Sequence, residues 1–84
     1  MIIHITHVAV TGPYTLKLTF DDAGQTVREV NLYAYLEGPV FEPLKEPAYF
    51  ARVMLDPELG TVVWPNGADF APDFLYRVSE IVTA

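Results

Sequence analysis

Residues 60–72, Gly60-Thr61-Val62-Val63-Trp64-Pro65-Asn66-Gly67-Ala68-Asp69-Phe70-Ala71-Pro72, constrain the fold more than any other stretch of the chain. Thr61 to Trp64 are β-branched or aromatic on both alternating faces, which suits a strand covered on both sides. Proline lacks an N–H and fixes φ, so Pro65 ends the ladder. Trp64-Pro65-Asn66-Gly67 then reads as a tight turn in which Asn66 and Gly67 take backbone angles that other residues resist. Asp69 lies just beyond, where a carboxylate accepts from loop N–H groups and holds the turn. Pro72 suits the first position of a helix. A strand, a turn and a helix start follow one another without spare residues, which specifies architecture rather than chemistry.

The chain has 84 residues, enough for one domain spanning 1–84 with a core that must be packed efficiently. Five Phe, five Tyr and one Trp supply the large side chains for it. The absence of cysteine excludes disulfides, thiolate metal sites and a cysteine nucleophile. A formal charge of −6 removes the electrostatic attraction on which nucleic-acid binders rely and fits a basic protein partner, the plainer alternative being that the acid serves solubility. Met1 to Val10 has no basic leader pattern and is too short to span a bilayer, so the expectation is a cytoplasmic protein without membrane contact.

Ile3 and Ile5 fall on one alternation of the first strand, Val8 and Val10 on the other, and a bulge near Thr6-His7 reconciles them. Tyr14, Leu16, Leu18 and Phe20 alternate with Thr15, Lys17 and Thr19 as a half-buried strand does. Asp21-Asp22-Ala23-Gly24 reads as a hairpin connection with Gly24 available for positive φ, and Thr26 to Val30 returns antiparallel. Asn31 can cap a helical turn at Leu32 to Leu36. Pro43 and Pro47 divide the next segment into two short helices anchored by Phe41, Leu44 and Phe50. Arg52 to Asp56 and Thr61 to Trp64 form a second hairpin. After Pro72, the residues Phe74, Leu75, Val78, Ile81 and Val82 share a face if helical, giving an expected helix of about three turns that frays near Thr83. The reading is an α+β domain of two antiparallel hairpins, short helices and a C-terminal helix.

Chemistry-bearing residues are sparse. His4 and His7 point to opposite faces of a regular strand, so a metal site would need a bulge and carboxylates from elsewhere, such as Asp21 or Asp22; no metal or cofactor is expected. Asp69 and Asp73 flank the helix start, a place where a carboxylate usually has a structural role. Trp64, Tyr76 and Tyr49 read as core, whereas Tyr33-Ala34-Tyr35 is the better candidate for exposed aromatic surface, since Leu32 and Leu36 already face inward. No phosphate loop, nucleophile elbow or nucleophile-base spacing is present.

With those residues laid out, the chain resembles the bacterial family called domain of unknown function 2442. The resemblance rests on Leu16-Lys17-Leu18-Thr19-Phe20-Asp21 with Gly24, on Leu32, Leu36, Phe41, Leu44 and Phe50, and above all on Gly60 to Asp69 with Pro72, Leu75 and Tyr76. Asn31 and Glu46 depart from the pattern, where aspartate is expected. The resemblance implies a small α+β domain with no assigned activity and a regulatory or antitoxin-like role, because some members are associated with a helix-turn-helix domain and others lie beside a proposed toxin. About twelve residues follow Pro72, too few for a helix-turn-helix, so any DNA contact is expected to be a partner's.

Three functional expectations follow. The first is a non-catalytic interaction module for a basic small protein, with Glu37, Glu42, Glu46, Asp56 and Glu58 as its partner surface and Trp64, Pro65, Asn66, Gly67, Asp69, Pro72 and Tyr76 as its motif. The second is a ligand-binding domain or enzyme with a cleft where Trp64, Asp69 and His7 converge. The third is a self-associating unit, a homodimer paired through the C-terminal apolar stripe.

Overall fold

The computed structural model describes residues 2–82. Strands β1 (Ile5–Val10), β2 (Thr15–Phe20) and β3 (Val27–Asn31) form an antiparallel meander. On the inner face of β2, Leu16, Leu18 and Phe20 are fully buried, while Lys17 on the other face is exposed. The expected bulge is present: Ile5 pairs with Phe20 but His7 pairs with Thr19, leaving Thr6 as the extra residue. This inserted residue lets Ile5 on one alternation and Val8 on the other both pack toward the core.

At the β2–β3 turn the positive φ falls on Gln25, at 48°, not on Gly24. Asp22 explains the difference. Its carboxylate accepts from the Thr26 backbone N–H at 2.8 Å and the Thr26 hydroxyl at 2.9 Å, closing a loop that ends on the residue before Thr26.

Asn31 Oδ1 accepts the Tyr33 N–H at 3.0 Å and starts a 3-10 turn at Tyr33–Tyr35, with Leu32 and Leu36 buried on either side. A second 3-10 turn at Glu42–Lys45 leads into helix α1 (Pro47–Phe50), as the two prolines require. Leu44 and Phe50 are fully buried and Phe41 half-buried. Each full burial of a side chain of this size contributes roughly 1.5–3 kcal/mol.

Strands β4 (Met54–Asp56) and β5 (Thr61–Val63) form the second hairpin, each shorter than the sequence suggests. The far side of β5 is covered by the returning chain. Val63 bridges Asp69, the Trp64 N–H donates to the Ala68 carbonyl at 2.9 Å, and Thr61 Oγ1 donates to the Phe70 carbonyl at 2.6 Å. Thr61, Val62 and Trp64 are buried and Val63 half-buried, so side chains on both alternations of this stretch are covered. In the turn between, the Gly67 N–H donates to the Trp64 carbonyl at 2.9 Å, and only Gly67 of the four turn residues has a positive φ, at 89°. Asn66 keeps ordinary angles. This is a three-residue hairpin loop with glycine in the left-handed position.

Helix α2 (Pro72–Val78) begins at Pro72 as expected but ends after two turns. Ser79 turns extended, with φ −94° and ψ 162°, and β6 (Glu80–Ile81) pairs with β3 through Arg28↔Ile81 and Glu29↔Glu80. The expected three-turn helix is corrected here. Its stripe divides into Phe74, Leu75 and Val78, which pack on the core, and the exposed Ile81 of the added strand with Val82 just beyond it. Thr83, where fraying was expected, lies outside the described residues. The main sheet has the order β1-β2-β3-β6, and β4-β5 is a separate two-stranded sheet.

The two sheets meet at Gly60. Its carbonyl accepts the Ile5 N–H at 2.7 Å, its φ is +67°, and a Cβ there would stand about 3.0 Å from His4 Cβ. Glycine is required both by the backbone angle and by the close approach.

Candidate functional site

The surface most developed for contact is the segment 33–46. Tyr33, Tyr35 and Val40 are 53%, 40% and 51% exposed, interleaved with the exposed Glu37, Glu42 and Glu46. Each apolar side chain stands on an anchored base. Tyr33 packs on Tyr14 at 4.7 Å between ring centroids, and the Tyr14 hydroxyl donates to the Lys45 carbonyl at 2.6 Å. Tyr35 meets Phe74 edge-on at 5.1 Å, at the end of a row in which Phe74, Phe70 and Phe41 stack successively at 5.7 and 4.9 Å. The Val40 carbonyl accepts from Asn66 Nδ2 at 2.9 Å, so the turn after β5 braces this loop. Such bracing lowers the ordering cost of any contact the segment makes.

The acidic residues divide by what they hold. Glu42 pairs with Lys45 at 3.4 Å, an exposed pair worth little to stability. Glu37, Glu46 and Glu58 are exposed. Asp56, also expected at the partner surface, is half-buried, and its Oδ1 accepts from the backbone of Glu58 at 2.9 Å and Leu59 at 3.2 Å. Its role is to close the β4–β5 turn.

Trp64 is buried, and its indole Nε1 donates to the Phe50 carbonyl at 2.9 Å. Its ring therefore offers no wall to a ligand cleft, while His7 and Asp69 are exposed. The expectation that Asp69 holds the turn is corrected. Asn66 Oδ1 accepts the Ala68 N–H at 3.1 Å, and among the described residues the Asp69 carboxylate accepts no hydrogen bond. Asn66 does so because an amide can accept from the loop and donate to Val40 at once. An open depression of about 340 Å³ lies elsewhere, lined by Thr15, Glu29, Val30, Asn31, Val78 and Glu80. Among the described residues no group of three or more His, Asp or Glu is placed to hold a metal ion, and no helix is long and apolar enough to cross a membrane.

His4 and Asp21 form a second local unit: the His4 N–H donates to Asp21 Oδ1 at 2.7 Å, and His4 Nδ1 lies 3.0 Å from Oδ2. The backbone N–H of His4 first, then its ring, holds the Asp21 carboxyl below the ordinary carboxylate range.

One polar network had no signal in the sequence beyond the presence of its members. Arg28 lies over the Tyr76 ring at 3.9 Å and donates from Nη1 to the Tyr76 and Ser79 carbonyls at 3.4 and 3.3 Å. The Tyr76 hydroxyl donates to Asp22 Oδ2 at 2.8 Å. A cation set against the last carbonyls of α2 complements the negative end of the helix and marks where the chain changes from helix to strand. The Thr26 backbone N–H first, then the Tyr76 and Thr26 hydroxyls and the charge of Arg28, lower the pKa of Asp22, outweighing desolvation. Tyr76 is thus a structural residue of the motif.

Two antiparallel sheets with short helices define a small α+β domain. The chain belongs to the family described as Protein of unknown function (DUF2442), whose profile matches residues 5–80 of 84. No curated protein and no solved structure matches it.

Proposed function

We propose that this domain is a non-catalytic, regulatory protein-interaction module whose loop 33–46 receives a small basic protein, in the manner of an antitoxin. The observation that carries the reading is the alternation of exposed Tyr33, Tyr35 and Val40 with exposed Glu37, Glu42 and Glu46 on a backbone braced from below. Aromatic anchors supply the desolvated centre of a protein interface, and carboxylates around them steer a cationic partner. The reading takes the domain to act in the cytoplasm, where such a partner would meet it.

The test is to co-purify the product of the adjacent reading frame and measure association at two salt concentrations. The on-rate should fall with salt and fall further in Glu42→Lys and Glu46→Lys, while Tyr33→Ala should act mainly on dissociation. An on-rate indifferent to salt and to both reversals would leave the acidity as a solubility feature.

A further inference from the structure

We infer that β6 is a replaceable strand, and that the edge of β3 it covers is the docking site for an extended segment of a basic protein, with a lysine or arginine set opposite Glu29. The site is separate from loop 33–46 and stands whatever that loop binds.

The backbone of β3 has a defined outward side. The Leu32 N–H donates to the Tyr14 carbonyl and the Phe20 N–H to the Thr26 carbonyl, whereas the Val27 carbonyl accepts from the Val82 N–H on the far side. Val27, Glu29 and Asn31 therefore turn their N–H and C=O away from β2. β6 reaches only part of this edge: its register pairs are Arg28↔Ile81 and Glu29↔Glu80, and among the described residues nothing bonds the outward backbone groups of Asn31. At that step lies the open depression of about 340 Å³, whose lining includes Val30, Asn31, Val78 and Glu80. A strand longer than β6 has room to continue through it to Asn31.

The hold of β6 on this edge is weak. Glu80, Ile81 and Val82 are all exposed, so the strand buries little apolar surface. One of its two register pairs sets Glu29 directly against Glu80, and like charges placed opposite each other destabilise a strand pair. Among the described residues neither carboxylate has an ion-pair partner. Lys17 stands opposite Glu29 on β2, which leaves that row of the sheet with one acid in excess. Arg28 fastens the chain just before the strand, through the Tyr76 and Ser79 carbonyls, so residues 80–82 can leave the edge while α2 stays in place.

These charges commit the edge to one kind of occupant. A basic residue in the place of Glu80 turns the repulsion into attraction, and a domain with a net charge of −6 draws such a segment toward it. An acidic segment, or β6 of a second copy, would only restore the like-charge pair. Ladder bonds along Val27–Asn31 supply the affinity, and the side chain facing Glu29 supplies the selection.

The test uses the full chain and a capped peptide of sequence Lys-Val-Lys-Val-Lys, with Glu-Val-Glu-Val-Glu as its control, read by amide chemical shifts and hydrogen exchange. The lysine peptide should bind, protect the Asn31 amide, and release the Glu80 and Val82 amides to solvent. Glu29→Lys repels the peptide and gives β6 an attractive pair, so affinity should fall at least about threefold. Glu80→Lys leaves Glu29 intact and strengthens only β6, so it should also weaken binding, which a simple ion pair with Glu29 does not predict. Both side chains are exposed, and near-UV dichroism should stay native in both variants. No binding of the lysine peptide overturns the proposal, as does equal binding of the glutamate peptide or a bound state in which Glu80 and Val82 stay protected. Binding abolished by Tyr33→Ala and unmoved by Glu29→Lys also overturns it, and would assign the peptide to loop 33–46.

Discussion

Tyr76 donates its hydroxyl to Asp22 Oδ2 at 2.8 Å across a sequence separation of 54, joining the β2–β3 turn to the last turns of α2. The same ring carries the Arg28 guanidinium on its face and meets Phe20 at 5.2 Å edge-on. One side chain therefore joins a turn, a strand and a helix end.

Truncating Tyr76 in two steps separates these contacts. Tyr76→Phe keeps the ring and should cost about 1 kcal/mol for the lost hydrogen bond. Tyr76→Leu also loses the cation and the edge contact and should cost roughly 1–2 kcal/mol more. Urea unfolding with a constant slope reads both; equal costs would assign the ring no role.

Acid should destabilise the domain through Asp21 and Asp22. Both carboxyls are held below the ordinary value of 3.8 in the folded chain, so the unfolded chain binds more protons as the pH drops. Their contribution is complete above the unfolded value and is lost as the pH falls through the folded one. Thermal midpoints measured from neutral to strongly acidic pH should fall on that limb, and Asp22→Asn should flatten it.

The turn after β5 makes opposite demands on two neighbours. Asn66→Ala leaves the Ala68 N–H and the Val40 carbonyl without their partner and should cost roughly 1–2 kcal/mol. Asp69→Ala should stay within about 0.5 kcal/mol of the parent. Denaturant midpoints in the reverse order would return the turn to Asp69.

Two glycines with positive φ should respond unequally to alanine. Gly67, at 89°, has open space around it and should cost only the backbone penalty, about 1–2 kcal/mol. Gly60, at 67°, faces His4 Cβ and Cγ about 3.0 Å from the new methyl, and should cost at least about 1 kcal/mol beyond that. His4→Gly should recover the difference at position 60 alone.

What the sequence made legible was local. The alternation of Leu16, Leu18 and Phe20 defines β2, the two parities of Ile5 and Val8 reveal the Thr6 bulge, and the prolines at 43, 47 and 72 mark helix starts. Exposure of Tyr33 and Tyr35 follows from the inward pair Leu32 and Leu36. Long-range matters were not legible. A helical stripe and a β-rich run overlap from Val78 to Val82, and the free edge of β3 decided between them. Asp69 and Asn66 both suit a turn, but only Asn66 lies beside Val40, a neighbour 26 positions away. The roles of Asp22, Arg28 and Tyr76 depend on a meeting that no spacing encodes.

The pairing of β3 with β6 has a consequence for how the chain is made. The meander β1-β2-β3 needs only neighbouring residues and can close while the rest is still being synthesised, whereas Arg28 must wait for Ile81. Until residues 79–82 leave the ribosome, β3 has an open edge, and a nascent chain crowded among its siblings has a strand to lend before it has one to cover it.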